Sequence, residues 1–179
     1  STDQKAQWLP DLVAGHRLGA FGLTEPDAGS DAGGTRTKAV FDASTDEWVL
    51  NGSKAFITNS GTDITSIVTV TALTATGEIS SFIVPAGTHG LIVEPAYRKL
   101  GWHASDTHGL TLVDCRVPAA NMLGVRGSGL RNFLAILDDG RIAIGALATG
   151  SAQACLDLSV DYAKQRQAFG GPIGRFQGL

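Results

Sequence analysis

Apolar and polar residues alternate along the first two thirds of the chain, and the pattern changes to a helical period in the last third. Within residues 64–73, Thr and Ser alternate with Ile and Val, which is typical of a strand with one buried face. A short helix at residues 4–14 is predicted to end at Gly15 and to precede the strands. The predicted strands cover residues 18–23, 35–42, 47–57, 64–73, 79–85, 91–93 and 109–117. Short strands with frequent turns indicate a barrel or sandwich and not βαβ units.

One strand prediction contains an internal turn signal. Asn51-Gly52 divides residues 47–57 and is flanked by the apolar segments WVL and KAFIT. Asn-Gly between β-type residues favours a type I′ turn, which needs two positive φ angles. The sequence therefore predicts a hairpin centred on Asn51-Gly52.

From Ser128 onward, apolar residues recur in steps of three and four over about 38 residues, which predicts one long helix or two in line. Such a helix is too long to bury its apolar stripe against a small barrel, so we expect partner helices outside this chain. The tail, GGPIGRFQGL, breaks the helix and then resembles the beginning of another, and the boundaries are those expected of a fragment. The predicted fold class is α+β: an antiparallel β-barrel or sandwich-like middle domain, then a long helix of an incomplete helical bundle.

Composition narrows the function classes. The chain has 179 residues and a net charge of −3, with no charge bias toward nucleic acid or a membrane and no apolar run of the roughly 20 residues that cross a bilayer. Cys115 and Cys155 lie far apart without a CxxC motif, which favours reduced thiols over a metal site. No secretory signal is present, so a reducing, soluble compartment is expected. Residues 91–179 carry 9 basic and 7 acidic side chains, which would favour an anion there.

Two segments of the β-rich part could form a binding site. The loop at residues 24–34, TEPDAGSDAGG, could direct backbone N–H groups at an anion, although it is neither a Walker A loop nor GxGxxG. A plain surface loop remains the alternative. Phe56 and Thr58 lie two residues apart on one strand face and could seat a flat heteroaromatic ring. A core Phe beside a Thr at the strand end is the alternative.

The helical part contributes two further candidates. Asp138 and Arg141 are spaced to form a surface ion pair, and Gly140 between them allows close approach by another group. Arg166 lies in the last helical turn before a Gly-rich break, which is also ordinary helix-end chemistry. His103 and His108 could meet across a turn, but loop histidines with satisfied hydrogen bonds are favoured over a ligand pair or a catalytic base.

Taken together and in this order, the segments resemble the acyl-CoA dehydrogenase family, most of all its short-chain and branched-chain members. The resemblance covers nearly the whole chain. It implies the end of an N-terminal helical region at 1–17, a β-barrel-like middle domain at 18–125 and the first helices of a C-terminal helical domain at 126–179. The segments are FGLTEPDAGSD, WVLNGSKAFITNSG, KLGWHASDT, VPAANMLG, LDDGRIAIGALATGSAQACLDLSVDYAKQRQAFG and the final FQ.

The resemblance also implies a chemistry. The family binds FAD and oxidises an acyl-CoA thioester to the trans-2-enoyl-CoA in fatty-acid β-oxidation: a glutamate removes the α proton and the β hydride goes to flavin N5. Thr24 is expected at the pyrimidine end of the flavin, Thr58 near N5 and Phe56 against the ring. The implied FAD-binding residues are Phe21, Leu23, Thr24, Gly29, Ser30, Phe56, Ile57, Thr58, Arg166, Phe169 and Gln177. The implied substrate-binding residues are Ser30, Asp138 and Arg141.

The resemblance places the catalytic base outside this chain. In most family members the base is a Glu in the C-terminal domain, beyond Leu179. Some members carry it just before the helix Arg, but here Gly140 stands at that position. Glu25 belongs to the loop turn, and a structural role is expected for it.

Several partners and alternatives accompany this hypothesis. The family implies a homotetramer or homodimer with an FAD site shared between subunits, and an electron-transferring flavoprotein as electron acceptor. The expected location is the cytoplasm, or the mitochondrial matrix in a eukaryote. An acyl-CoA oxidase or another flavoenzyme of the same fold is one alternative. A binding or assembly module without turnover is another, since the base is absent.

Overall fold

The computed structural model describes residues 1–178, and Leu179, the last residue of the predicted 126–179 domain, lies outside the described residues. Contacts divide the chain into a first unit, Ser1–Phe133, and a second unit from Leu134 onward. The elements of the first unit are α1 (Thr2–Val13), β1 (Leu18–Gly22), β2 (Lys38–Asp42), β3 (Glu47–Thr58), β4 (Thr65–Ala75), β5 (Glu78–Pro85), β6 (Leu91–Val93), β7 (Thr107–Pro118) and β8 (Met122–Leu123). A long helix, α2 (Gly129–Gln165), begins in this unit and continues into the second.

Strands β1 to β8 form one sheet in the order β6-β7-β3-β2-β4-β5-β8, with β1 paired to β4. Most neighbours are antiparallel, and β4 has parallel partners in β1 and β2. Alternating residues of these strands face a shared core, and the fully buried members include Leu50, Val70, Phe82 and Val117. The α+β prediction, a β-sheet domain followed by a long helix, is confirmed.

The hairpin prediction at Asn51-Gly52 is wrong, because β3 runs through both residues without turning. The register between β3 and β7 shifts between Leu50 and Gly52, which marks a bulge. A Cβ at Gly52 would lie 2.5 Å from Thr37 Oγ1, so the glycine admits a close backbone approach. The actual turn between β2 and β3 lies at residues 43–46, where Asp46 has a φ of 55°.

Helix α1 has the N-terminal signals that its sequence carries. Ser1 and Gln4 form a reciprocal capping box, which satisfies two backbone donors at the helix start. The helix is followed by Gly15 at a φ of 75°, as the sequence predicts for a stop residue. The Gln4 side-chain amide also donates to the carbonyls of Ala120 and Met122, each at 2.8 Å, which fixes α1 beside β8.

Helix α2 is continuous, and within the described chain only Gly129 and Phe133 of this helix are buried. The sequence predicts no membrane-spanning segment, but by length and composition alone this helix is long and apolar enough to cross a membrane. None of its most apolar stretch is buried in the structure. The apolar residues that it exposes include Leu134, Ile142, Ile144, Leu147, Leu156 and Leu158. After α2, strands β9 (Gln167–Ala168) and β10 (Gly171–Pro172) form a small hairpin. A 3-10 turn at Ile173–Arg175 stands where the sequence suggested a further helix.

Candidate functional site

The first two candidate segments lie side by side in the first unit. After β1, the chain runs along β3, and the Ala55 N–H donates to the Thr24 carbonyl at 2.9 Å. Thr24 is therefore adjacent to the strand end that carries Phe56 and Thr58. The start of the loop at residues 24–34 thus lies against the end of β3, although Thr24 and Phe56 are 32 residues apart in sequence.

A buried ion pair fixes the start of this loop. Lys54 Nζ lies 2.7 Å from Glu25 Oε1, and the two side chains are 0% and 4% exposed. The same ammonium donates to the Leu23 carbonyl at 3.3 Å and to Thr71 Oγ1 at 3.0 Å. All three donors of Lys54 therefore have acceptors, which buried charge requires.

Glu25 is equally well satisfied. Its carboxylate accepts from the Arg36 N–H at 2.6 Å and from the Thr37 N–H at 3.2 Å, which closes the far end of the loop onto its start. Burial acts to raise the pKa of Glu25, but the hydrogen bonds from Lys54, Thr37 and Arg36 hold it below its ordinary value. A carboxylate engaged in this way is a structural anchor, as the sequence indicated, and not a free base.

Lys54 was missed from the sequence, although a signal was present. Trp48 and Leu50 face the core, and Lys54 has the same even-numbered parity along β3. A lysine on the core face of a strand needs a carboxylate partner. The adjacent loop contains three carboxylates, Glu25, Asp27 and Asp31, so strand parity predicts that Lys54 needs a partner but does not say which residue supplies it.

The tip of the loop exposes unsatisfied donors. Gly29 and Ser30 are exposed, and a 3-10 turn at Ala32–Gly34 follows them. In the part of the chain that the structure describes, the N–H groups of Gly29, Ser30 and Asp31 donate no intramolecular hydrogen bond. Consecutive free N–H groups on an exposed loop form a suitable surface for an anion.

The end of β3 presents a flat aromatic face. Phe56 is 67% exposed and has a φ of 60°, at an irregularity of the β3–β7 register between Lys54 and Ile57. Its ring lies 5.0 Å from that of Tyr97, centroid to centroid, and Thr58 is also exposed. The structure therefore places Phe56 and Thr58 on the solvent side of the strand, and the core alternative for Phe56 is wrong.

Three other predicted residues have their side chains occupied elsewhere. Ile57 is 1% exposed in the core and Leu23 is 7% exposed, so each offers a ligand only its backbone. The carbonyls of both accept intramolecular bonds, from Ser60 Oγ at 2.8 Å and from Lys54. The Phe21 ring stacks on Phe133 with centroids 4.2 Å apart, which ties β1 to the first turns of α2.

The predicted residues of the second unit lie on the exposed surface of α2 and of its tail. Asp138 and Arg141 form the i,i+3 ion pair that their spacing predicts, and both are exposed. A Cβ at Gly140 would meet no atom within 4 Å, so this part of the helix has open space beside it. Arg166 and Gln177 are exposed, and Phe169 is 91% exposed with a φ of 49° at the β9–β10 turn.

Other titratable groups stand apart from this surface. Among residues 1–178, no three His, Cys, Asp or Glu residues are grouped so that they could hold a metal ion. Cys115 is buried and burial raises the pKa of its thiol to about 11, whereas Cys155 is exposed. A ring nitrogen of His103 lies 2.8 Å from the Lys99 carbonyl, while His108 has different partners, so the two histidines do not form a pair.

Comparison with known proteins matches the whole length of the chain. The acyl-CoA dehydrogenase middle-domain profile matches residues 20–115, and the C-terminal-domain profile matches residues 127–179. A probable acyl-CoA dehydrogenase of Bacillus subtilis is 51% identical over 99% of this chain and 47% of its own length. The chain thus spans about half the length of the curated relatives it matches.

Solved structures give the same result. Butyryl-CoA dehydrogenase from Megasphaera elsdenii superposes with a TM-score of 0.92 at 44% identity, over 99% of this chain and 46% of that one. An acyl-CoA dehydrogenase from Bacillus anthracis, solved in complex with FAD, has a TM-score of 0.92 at 40% identity, over 98% of this chain and 30% of its own. Because the middle-domain profile alone covers more than half of the sequence, the chain belongs to the acyl-CoA dehydrogenase family.

Proposed function

We propose that the protein containing this chain is an FAD-dependent acyl-CoA dehydrogenase that forms trans-2-enoyl-CoA. One observation carries the proposal. The loop at residues 24–34, anchored by the buried Glu25–Lys54 pair, lies against a strand end that exposes an aromatic ring and a hydroxyl. A ligand that joins a flat heteroaromatic ring to a phosphate chain fits this surface: the ring would meet the aromatic strand end, and the phosphates would meet the loop.

The residues of this surface fit FAD. Phe56 offers a ring face for stacking, Thr58 of the same strand offers a hydroxyl, and Thr24 of the adjacent loop offers another. The free N–H groups of Gly29 and Ser30 fit the pyrophosphate. FAD, when bound, supplies the hydride acceptor, and the residues of this chain orient it.

The substrate residues are proposed on α2 and on the loop. Arg141 is expected to face the CoA phosphates as a cation, with Asp138 holding its guanidinium, and Gly140 leaves the approach open. Ser30 is expected near both the pyrophosphate and the acyl-CoA. The base is proposed to be a Glu beyond Leu179, since Gly140 carries no side chain and Glu25 is buried in an ion pair.

The exposed tail supports a shared site. Arg166, Phe169 and Gln177 are accessible to a second subunit, and we propose that they reach the FAD of a neighbour in a homotetramer or homodimer. The apolar surface of α2 is then covered by the remaining C-terminal helices and not by a membrane. We further propose a cytoplasmic or mitochondrial-matrix location and electron transfer to an electron-transferring flavoprotein.

The full-length protein provides the test. We expect purified protein to show flavin absorbance that bleaches when short acyl-CoA substrates are added without oxygen. Arg141→Ala should raise KM for acyl-CoA by about tenfold or more, because it removes a charge-assisted bond. Arg131→Ala, an exposed arginine in the same helix, is the matched control.

Three results would contradict parts of the proposal. Protein without flavin absorbance and without bleaching by any acyl-CoA would refute the function. Rapid peroxide release on reoxidation by oxygen would favour the oxidase alternative. Robust turnover by the 179-residue chain alone, which we expect to be inactive, would contradict the placement of the base.

A further inference from the structure

The strand that flanks Phe56 and Thr58 contains a buried histidine. His108 of β7 pairs with Ile57 of β3, the residue between Phe56 and Thr58. It is 9% exposed. Its Nδ1 lies 2.6 Å from the Glu94 carbonyl oxygen, and its Nε2 lies 2.6 Å from Asp106 Oδ1.

These two partners determine the protonation of the ring. A carbonyl oxygen can only accept a hydrogen bond, and so can an ionised carboxylate. Both ring nitrogens must therefore carry hydrogen, which makes the imidazole an imidazolium. A neutral ring would leave one nitrogen lone pair facing an acceptor at 2.6 Å.

The shifts of the two groups agree with a charged pair. Burial acts to lower the pKa of His108, but the Glu94 carbonyl and the Asp106 carboxylate raise it overall. Burial acts to raise the pKa of Asp106, and the Gly61 N–H, His108 and Lys99 lower it overall. Each partner thus stabilises the charge of the other.

Asp106 connects the ring to the turn that follows Thr58. Its Oδ2 accepts from the Gly61 N–H at 2.8 Å, and its backbone carbonyl accepts from the Asn59 N–H at 3.2 Å. A Cβ at Gly61 would lie 2.2 Å from His108 Nε2, so the ring packs directly on the backbone of this turn.

Glu94 connects the ring to the segment under Phe56. The Glu94 and Tyr97 N–H groups donate to the carbonyls of Gly109 and Thr107, each at 3.0 Å, and the Tyr97 ring packs against Phe56. His108 therefore bridges residues 59–61 on one side and residues 94–97 on the other.

Two other charged side chains near the ring, those of Lys99 and Glu94, have partners of their own. Lys99 Nζ donates to Thr107 Oγ1 at 2.9 Å and to the Ser105 carbonyl. The Glu94 carboxylate accepts from Thr111 Oγ1 at 2.7 Å. The Tyr97 hydroxyl lies beside Gly109. Asp106 is thus the carboxylate that bonds the imidazolium directly.

We propose that His108, held as an imidazolium between Glu94 and Asp106, is a positioning residue that fixes the Phe56–Thr58 face for the flavin ring. Its effect on FAD rests on the proposed function, whereas the clamp on residues 59–61 does not. Because the pKa of His108 is raised on folding, the clamp is fully present below its unfolded value, and it is lost as the pH rises through the folded value. Alkaline pH should therefore loosen the turn and the flavin face together.

Two flavin-independent measurements on the full-length protein test the clamp. Deuterium exchange at the imidazole Cε1, followed by mass spectrometry, gives the pKa of each histidine. We expect the pKa of His108 to lie above the ordinary value for histidine, and Asp106→Asn should lower this pKa toward the ordinary value. Amide exchange of peptides covering residues 59–61 should be about tenfold faster in His108→Gln than in wild type near pH 6, because the charged hydrogen bonds are lost.

His103→Gln is the matched control. That ring is exposed and bonds only a local carbonyl, so we expect wild-type exchange at residues 59–61. A His108 pKa at or below the ordinary value in wild type overturns the proposal without any variant. Unchanged amide exchange in a folded His108→Gln protein overturns it too.

The flavin measurement then tests the consequence. FAD dissociation should quicken in wild type as pH rises past the His108 pKa. Near pH 6, His108→Gln should dissociate FAD about tenfold faster than wild type, and its rate should not change as pH rises past that value. If wild type binds no flavin, the proposed function fails while the exchange results still decide the clamp. If flavin binds but its release does not respond to His108→Gln, the positioning role is refuted.

Discussion

Charged side chains are ordinarily exposed and large apolar side chains buried, and each unit of the chain departs from one half of this rule. In the first, a lysine is fully buried, and in the second, Leu158 is 71% exposed. The buried charge of Lys54 is matched inside its own unit by Glu25, Thr71 and a carbonyl. The described residues offer the exposed leucine no comparable cover. The buried charge of the first unit is thus balanced within that unit, whereas α2 exposes apolar side chains.

Removing the buried charge should have the largest effect. Lys54→Met leaves the Glu25 carboxylate buried without its cation, which costs about 3–5 kcal/mol in comparable pairs. We expect a loss of stability of that order in urea unfolding, and loosening of the loop at residues 24–34. Lys38→Met removes an exposed lysine of β2 and should change stability by less than about 0.5 kcal/mol. Equal effects of the two variants would mean that the ion pair does not anchor the loop.

A leucine on α2 should distinguish the chain from the longer protein. Leu147 is 52% exposed, so Leu147→Ala should change the unfolding free energy of the 179-residue chain by less than about 0.5 kcal/mol. In the full-length protein we expect Leu147→Ala to lower the unfolding free energy by about 2–5 kcal/mol, because the additional helices would bury the leucine. Leu50→Ala, in the core of the β unit, should cost about 2–5 kcal/mol in both. The comparison fails if Leu147→Ala has the same effect in both proteins.

Gly52 of β3, at the register shift against β7, gives a smaller effect within the first unit. A Cβ at Gly52 would lie 2.5 Å from Thr37 Oγ1 and 2.6 Å from its Cα, so Gly52→Ala must displace backbone. We expect destabilisation of about 1–3 kcal/mol by overpacking, measured in urea. The Thr37 N–H also bonds Glu25, so the loop anchor should loosen. Gly101→Ala, which meets no atom within 4 Å, should be nearly neutral, and a neutral Gly52→Ala would contradict the close contact.

Local signals predicted most elements and some of the site. The long helix, its i,i+3 ion pair and the shared face of Phe56 and Thr58 follow from period and spacing, which act over a few residues. The Asn51-Gly52 signal was misleading because Asn-Gly also occurs within an extended strand, and here β3 continues through both residues with Gly52 packed closely against Thr37. Propensity alone could not make that choice.

Contacts between residues far apart in sequence could not be predicted from the local sequence. The Lys54–Glu25 bond spans 29 residues, and the Asp106–Gly61 bond spans 45. Strand parity places Lys54 in the core, but nothing in the local sequence states which carboxylate meets it. The sequence favoured a hydrogen-bonded loop histidine at position 108; the ring is hydrogen-bonded, but it lies in β7, and one of its acceptors, the Glu94 carbonyl, is 14 residues away. Its two acceptors, and hence its charge, depend on the pairing of β7 with β3 and on the path of residues 94–97.

Gly145→Ala should have the smallest effect on stability, and whether it stabilises or destabilises the protein is informative. Gly145 lies inside α2, and a Cβ there meets no atom within 4 Å, so Gly145→Ala should add helix propensity of about 0.8–1 kcal/mol to the 179-residue chain. Thermal unfolding followed by circular dichroism would show a gain, opposite to the loss at Gly52. In the full-length protein the same change becomes destabilising if a neighbouring helix packs closely at Gly145, and stays stabilising if that face remains open. A loss in the 179-residue chain itself would contradict the open surface of α2, and with it the contrast between the buried charge of the first unit and the exposed apolar residues of α2.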